Sequence, residues 1–320
     1  MSRDATLDTL RGLAMILVVF GHALIGAMAA GYDTPLVRVL ILVIYSTHMA
    51  LFFAVSGLLS RGMAQRGWAE VLRRIGVRLL WPYLLWSLVL LSAHYLMSGH
   101  TNVALTRFEP WTILWHPPAI MWFLYALILA MLLMRLLAPL PHAVMAGAGL
   151  VLMALAYLVP LVPLAGRFVG LFLIACAAGP GALARLDRPV WIALSGGVMV
   201  VVLWLAMAEA GAPLTGYPAG SLAYLPALVA GPFLLLRVSR WMARMQPTLA
   251  AAFAYVGERT MPIFVTHILI TAGVRIVARA AGVTEWWAII LAATGLGVAL
   301  PLAALSVADR LGLSRGLGWR

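Results

Sequence analysis

Residues 7–22 read LDTLRGLAMILVVFGH, an apolar run that begins with an acidic and a basic residue and ends on a histidine. In a helix, His22 lies about 16 Å along the axis from Arg11 and within about 20° of its direction. Asp8 precedes Arg11 by one turn and can pair with it. The stretch therefore predicts a membrane-spanning helix with a guanidinium near one end and an imidazole near the bilayer centre, both on one face.

The rest of the chain is equally apolar. Of its 320 residues 64% are hydrophobic and 10% are charged, and the mean hydropathy is +1.02. This composition excludes an ordinary soluble globular protein. We expect an all-α integral membrane protein in which residues 1–320 form a single membrane-embedded domain, without a separate soluble domain. Apolar runs of about 20 residues predict about ten spans, near 12–30, 36–59, 79–97, 119–138, 143–163, 168–184, 190–209, 221–236, 260–279 and 287–308.

The basic residues indicate topology rather than nucleic-acid binding. All 22 are arginines, and they are scattered between apolar runs instead of forming a patch interleaved with aromatic residues. If the N-terminus is cytoplasmic, all but five arginines fall on the cytoplasmic side. This distribution predicts that both termini lie on the cytoplasmic side of a bacterial inner membrane. The five exceptions are Arg38, Arg107, Arg167, Arg275 and Arg279.

Three histidines, His22, His48 and His267, fall deep inside predicted spans. His48 lies thirteen residues before Arg61, and His267 lies eight residues after Arg259. These separations place both imidazoles about 12–20 Å from the cytoplasmic surface, in one layer with His22. A single membrane histidine is often a structural hydrogen-bond partner. Three at one depth, with Arg11 leading toward them, favour a functional site.

Two further features of the sequence bear on this site. Ser56 in the second span is followed by Gly57, which would let another backbone or a ligand approach closely, although helix packing alone also explains the pair. Cys176 is the one cysteine, so the chain has neither an internal disulfide nor a cysteine-based metal site, and we expect no metal.

The residues are compatible with more than one function. A neutral imidazole can accept the proton of a hydroxyl that attacks an acyl carbonyl, and arginines at the cytoplasmic mouth can bind a phosphate-bearing acyl donor. A proton-coupled transporter of a sugar or acidic solute also uses midplane histidines. Against a transporter, the sequence shows no matched pair of broken half-helices. A structural partner in an envelope-assembly complex is a third alternative.

Several motifs resemble those of the acyltransferase 3 family of multi-pass membrane O-acyltransferases. LDTLRGLA at 7–14, with ten residues between Arg11 and His22, resembles its opening signature. HMALFFAVSG at 48–57 resembles its second-span motif, in which Pro is common where this chain has Ala50. Further resemblances follow in order along the chain, at Arg74 and Arg78 before Pro82-Tyr83, at Trp122-Phe123-Leu124, and from Gly257 to His267.

The resemblance implies transfer of an acetyl or other short acyl group from acetyl-CoA or another cytoplasmic acyl-CoA to a hydroxyl of a carbohydrate or lipid-linked glycan. The compact chain looks similar to the stand-alone sugar O-acetylase branch of the family. The resemblance also implies essential roles for Arg11 and His22, and donor-side roles for Arg74 and Arg78.

Within that frame we expect each residue to have one task. His22 is the expected base, Arg11 positions or charge-stabilises the donor, and His48 and His267 orient groups or relay protons. Ser56 is expected to donate a hydrogen bond to the developing oxyanion or to the acyl carbonyl. Direct transfer and a relay through an acyl-histidine are both open. Arg11 and His22 are expected to line one channel through which the thioester meets the alcohol.

Overall fold

The computed structural model describes residues 5–97, 107–159, 165–182, 188–214 and 220–320, and within these ranges every regular element is helical. The all-α architecture expected from the sequence is therefore confirmed. The α-helices are α1 Ala5–Ala29, α2 Pro35–Tyr45, α3 His48–Ala64, α4 Trp68–Ile75, α5 Trp81–Leu96, α6 Trp122–Leu137, α7 His142–Leu158, α8 Gly166–Ala178, α9 Pro189–Glu209, α10 Ala227–Met245, α11 Pro247–Glu258, α12 Thr260–Ala280 and α13 Trp286–Arg310.

Eight helical segments in the described ranges are long and apolar enough to cross a bilayer. They are Ala5–Ala29, Pro35–Ala64, Trp68–Leu96, Pro110–Leu137, Pro189–Glu209, Leu222–Met245, Thr260–Ala280 and Trp286–Arg310. The expected spans at 143–163 and 168–184 coincide with the shorter apolar helices α7 and α8. The ends of these two expected spans, 160–163 and 183–184, lie outside the described residues. Ten spans and cytoplasmic termini thus remain predictions.

The second span is expected from the sequence at 36–59 as one stretch. In the structure it is not one continuous helix, because it breaks between α2 and α3. The side-chain oxygens of Ser46 and Thr47 donate to backbone carbonyls of the preceding turn, at 2.7 Å to Val43 and 3.2 Å to Ile44. Such local bonds compete with the helical ladder. On α10, a Cβ at Gly231 would overlap the Thr47 side chain, so the glycine lets this helix approach the break closely.

The third span begins earlier than the expected residue 79, because α4 and a π-helical turn at Gly76–Leu80 run directly into α5. Pro82 explains the wide turn. Its ring clashes with the carbonyl four residues earlier and it has no N–H to donate, so the α-helical bond to Arg78 cannot form. The turn carries Arg78 on the exposed surface and buries Leu79.

α1 lies at the centre of the bundle and packs against a ring of other helices, namely α2, α3, α10, α11, α12 and α13. Its contact with α11 is a backbone contact. A Cβ at Gly12 would overlap the carbonyl of Phe253, and a Cβ at Gly257 would overlap the carbonyl of Asp8. Small residues at such a contact let two helices approach closely in a membrane. The contact fixes the half of α1 that carries Arg11.

Candidate active site

The centre of the site is a pair of histidines contributed by α1 and α12. The ring centroids of His22 and His267 lie 5.2 Å apart, with 50° between the ring planes. His267 is fully buried. The sequence analysis placed both residues in one layer, and the structure brings them into contact.

The tautomer of the neutral His267 ring follows from its hydrogen bonds. Its Nδ1 lies 3.0 Å from the carbonyl oxygen of Ile263 and 2.8 Å from that of Phe264. A carbonyl can only accept, so Nδ1 carries the proton and the neutral ring has its lone pair on Nε2. This Nε2 is buried and has no hydrogen-bond partner among the described residues. His267 can therefore accept a hydrogen bond or a proton from a neighbouring group.

Tyr45 links His22 to the third histidine. Its hydroxyl lies 3.4 Å from Nδ1 of His22, and its ring packs edge-on against His48 with centroids 4.8 Å apart. Nδ1 of His48 donates to the carbonyl of Ile44 at 2.6 Å, and this carbonyl belongs to the last turn of α2. His48 thus caps the broken end of α2 and holds Tyr45 beside His22, which is a positioning role.

A cavity of about 130 Å³ lies on the N-terminal side of the histidine pair, and we call it the Arg11 cavity. Arg11 and Ser56 supply polar groups to a mainly apolar wall that includes Met15, Met49 and Phe264. Nη1 of Arg11 lies 3.8 Å from Oδ1 of the buried Asp8, and its side chain is 37% exposed. The cavity can therefore receive an apolar chain that ends in polar groups.

A second cavity, of about 100 Å³, lies on the opposite side of the pair, between α1, α12 and α13. We call it the Arg275 cavity. His22, Thr271 and Arg275 are its polar lining residues. His22 is thus the member of the pair that lines a cavity, whereas His267 lies behind it.

The expectation that Arg11 and His22 line a single channel is wrong for this structure. Arg11, Met15 and Val18 line one cavity, His22 lines the other, and the two linings share no residue. The helical periodicity does place these residues on one stripe of α1, as predicted. Phe264 lines the Arg11 cavity and its ring centroid lies 6.2 Å from that of His267. Spacing along one helix cannot reveal such packing between helices.

Arg74 and Arg78, predicted as donor-side residues, do not line the Arg11 cavity. Nε of Arg74 is 2.5 Å from Oε1 of Glu70, and Nη2 of Arg73 is 3.0 Å from Oε2 of the same carboxylate. Arg78 is exposed on the π-helical turn, next to Leu79, which does line the cavity. Arg78 therefore lies next to the cavity wall, and neither arginine is among the residues that line the cavity.

Ser56 and Gly57 face different surroundings. Ser56 lines the Arg11 cavity beside Arg11. Gly57 faces α8, where a Cβ would overlap the carbonyl of Phe172. The close approach expected at this glycine is therefore made by another backbone and not by a ligand.

Sequence reasoning missed Tyr45, Thr271 and Arg275 as residues of the site. A signal for two of them existed, since Thr271 and Arg275 follow His267 at intervals of four residues and so share its helix face. Tyr45 gave no such signal, because its position beside His22 depends on the break after α2.

Taken together, the fold and site define a multi-pass membrane protein with a pair of contacting imidazoles between two cavities. The family model described as an acyltransferase domain matches residues 4–306, which is nearly the whole chain. The chain therefore belongs to the acyltransferase 3 family and is a membrane acyltransferase. This membership favours group transfer over the transporter and structural-partner alternatives.

One curated relative is the nodulation protein NolL of Sinorhizobium fredii (strain NBRC 101917 / NGR234), which is 33% identical over 144 residues. The match covers 43% of this chain and spans 37% of the relative's length. No solved structure matches the chain.

Proposed function

We propose that this acyltransferase moves an acetyl or other short acyl group from cytoplasmic acyl-CoA to a hydroxyl of a carbohydrate acceptor in the cell envelope. We place it in a bacterial inner membrane with both termini cytoplasmic, on the distribution of its arginines. The observation that carries the proposal is the histidine pair with one cavity on either side. Such an arrangement suits two substrates that arrive from opposite faces of a membrane.

The Arg11 cavity is the proposed donor side. Acyl-CoA carries phosphates at one end of its pantetheine arm and the thioester at the other. A guanidinium binds phosphate in a two-pronged geometry. Arg11, Arg74 and Arg78 are proposed to hold the donor at the mouth, and Ser56 to donate to the thioester carbonyl. The thioester reaches His22 when the flexible side chains of Met15 and Met49 and the ring of Phe264 move aside.

The transfer step uses the tautomer of His22 in which Nδ1 carries the proton. When Nδ1–H of His22 donates to the oxygen of Tyr45, Nε2 of His22 holds the lone pair and accepts the proton of the acceptor hydroxyl. The hydroxyl oxygen bonds to the acyl carbon, the carbon–sulfur bond breaks, and the proton passes from His22 to the leaving thiolate of coenzyme A. His267, whose ring centroid lies 5.2 Å from that of His22 and whose Nε2 carries a lone pair, stabilises the transient imidazolium of His22 electrostatically.

The test is a reconstituted assay with labelled acetyl-CoA, the full chain in lipid nanodiscs, and glycans extracted from a strain that lacks the protein. We expect the label to appear on a saccharide, with a mass gain of one acetyl group and release of an equal amount of free coenzyme A. If the protein stays folded but the label remains in acetyl-CoA whichever glycan fraction is added, the proposal is contradicted.

The donor role of Arg11 gives a separate prediction. Arg11→Gln is expected to raise KM for acetyl-CoA by about 10- to 100-fold, because a charge-assisted hydrogen bond contributes about 1.5–3 kcal/mol. The KM of Arg11→Lys should lie between those of the wild type and Arg11→Gln, since lysine retains the charge but not the two-pronged geometry. Initial rates at varied acetyl-CoA concentration measure the effect.

Arg315→Gln is the matched control, because Arg315 is exposed and lines neither cavity. Since Arg11 pairs with the buried Asp8, thermal melting of each variant must show that the fold survives. An unchanged KM for acetyl-CoA in folded Arg11→Gln would remove Arg11 from the donor site.

A further inference from the structure

Arg275 is a cationic residue on the side of the histidine pair opposite to Arg11. It follows His267 by eight residues, which is about 12 Å along α12 and about 80° around its axis, within the width of one helix face. It lines the Arg275 cavity together with His22 and Thr271. Because helical side chains lean toward the N-terminus of their helix, the side chain of Arg275 leans back toward the level of His267.

The guanidinium of Arg275 is held against α1. A Cβ at Gly26 would lie 3.6 Å from Nε of Arg275, so the guanidinium lies within van der Waals reach of α1 at this position. Gly26 lies one turn beyond His22 on the same helix and also lines the cavity. The cation is thereby placed at the edge of the space into which His22 faces.

The polar atoms of Arg275 are incompletely satisfied by the protein. Its Nε is buried and has no hydrogen-bond partner among the described residues. Within the described ranges, the acidic residues Asp33 and Glu209 are engaged elsewhere, with Arg38 at 2.6 Å and with the hydroxyl of Tyr224 at 2.9 Å. Burying part of a guanidinium without an anionic partner is costly, which points to a partner that comes from outside the chain.

We propose that Arg275 binds an anionic group of the acceptor, a carboxylate or a phosphate, while a hydroxyl of the same or an adjacent sugar reaches His22. The inference rests on the proposed function and adds the substrate class: the acceptor is an acidic saccharide. A planar guanidinium suits both anions, since each presents two oxygens to its parallel N–H groups. The pairing fixes which hydroxyl lies at the histidine pair.

The experiment compares three acceptors that differ in one group: a neutral hexoside, the corresponding hexuronic acid and the corresponding phosphate ester. Each is titrated into the full chain in nanodiscs of uncharged phosphatidylcholine, first for binding by calorimetry and then for transfer from labelled acetyl-CoA. We expect at least one charged analogue to bind about 10-fold or more tightly than the neutral one, in line with the strength of charge-assisted bonds. The charged analogue that binds identifies the anion as a carboxylate or a phosphate.

Arg275→Gln is expected to abolish this preference by weakening binding of the charged analogue about 10- to 100-fold, with the neutral analogue and KM for acetyl-CoA unchanged. Arg275→Lys should restore part of the preference. The matched control is Arg279→Gln, one turn further along α12, whose guanidinium donates to the carbonyl of Val283 and stacks on Trp286. This control should behave as the wild type.

The outcomes separate this inference from the proposed function. Equal binding of neutral and charged analogues, or equal effects of Arg275→Gln and Arg279→Gln, would overturn the role of Arg275 even if transfer occurs. Binding that depends on Arg275 without any transfer of label would support the anion site and count against the acyl-transfer function. An effect of Arg275→Gln that appears only in nanodiscs containing anionic phosphatidylglycerol would assign the residue to a lipid headgroup and overturn the proposal.

Discussion

Replacing His22 by Gln is expected to lower the rate of acyl transfer at saturating substrates by about 10²- to 10⁴-fold, the usual contribution of a general base. Glutamine can keep a hydrogen bond to Tyr45, so the structure around the site should persist, but its amide cannot accept the hydroxyl proton. Single-turnover transfer of labelled acetyl to the extracted glycan measures the loss. The KM for acetyl-CoA should change little, because His22 lies outside the Arg11 cavity.

His267→Gln tests the second half of the pair. We expect a smaller loss than for His22→Gln, because His267 stabilises the imidazolium and does not contact the acceptor. The double variant should be no slower than His22→Gln alone, since two residues that act as one unit have strongly non-additive effects. Losses that simply multiply would contradict the paired role.

Two controls separate chemistry from folding. His142→Gln replaces an exposed histidine at the start of α7 and should leave transfer unchanged. His48→Gln removes the bond to the Ile44 carbonyl, so its main effect should be a lower melting temperature, with a smaller loss of transfer than for His22→Gln. Wild-type transfer by folded His22→Gln would remove this residue as the base.

The sequence predicted the parts of the site that depend on position along a single helix. Periodicity placed Arg11 and His22 on one stripe, and distances from flanking arginines placed the three histidines at one depth. Contacts between helices were not accessible in this way. The 5.2 Å approach of His22 to His267 depends on how α1 and α12 pack, and no feature of either helix alone determines it.

The largest differences between expectation and structure have local physical causes. The second span breaks because Ser46 and Thr47 bond to carbonyls of the preceding turn, and hydrophobicity does not register such bonds. The single expected channel is replaced by two cavities with separate linings, and an apolar side chain that lines a cavity, such as Phe264, cannot be told by composition from one that faces lipid. Composition therefore predicts that residues lie in the membrane, but not whether they leave a path open.

The contact between α1 and α11 predicts the largest effect on stability. Gly257→Ala should destabilise the protein by about 3 kcal/mol or more, at or beyond the upper end of overpacking effects, because the added Cβ overlaps the backbone carbonyl of Asp8 and not a movable side chain. The two helices must then separate, which also weakens the bond from Thr9 Oγ1 to the carbonyl of Ala250, 3.1 Å long in the native protein. Thermal unfolding in detergent, followed by circular dichroism, measures the loss.

A glycine in open space provides the matched comparison for Gly257. A Cβ at Gly273, in the interior of α12, meets no atom within 4 Å. Gly273→Ala should therefore stabilise the protein by up to about 1 kcal/mol through helix propensity alone. If Gly257→Ala melted at the same temperature as Gly273→Ala, the backbone contact could not be the feature that holds α1 in place. That contact also fixes Asp8 and the turn that carries Arg11. Gly257→Ala protein that still folds should therefore show a raised KM for acetyl-CoA, whereas the KM of Gly273→Ala should not change.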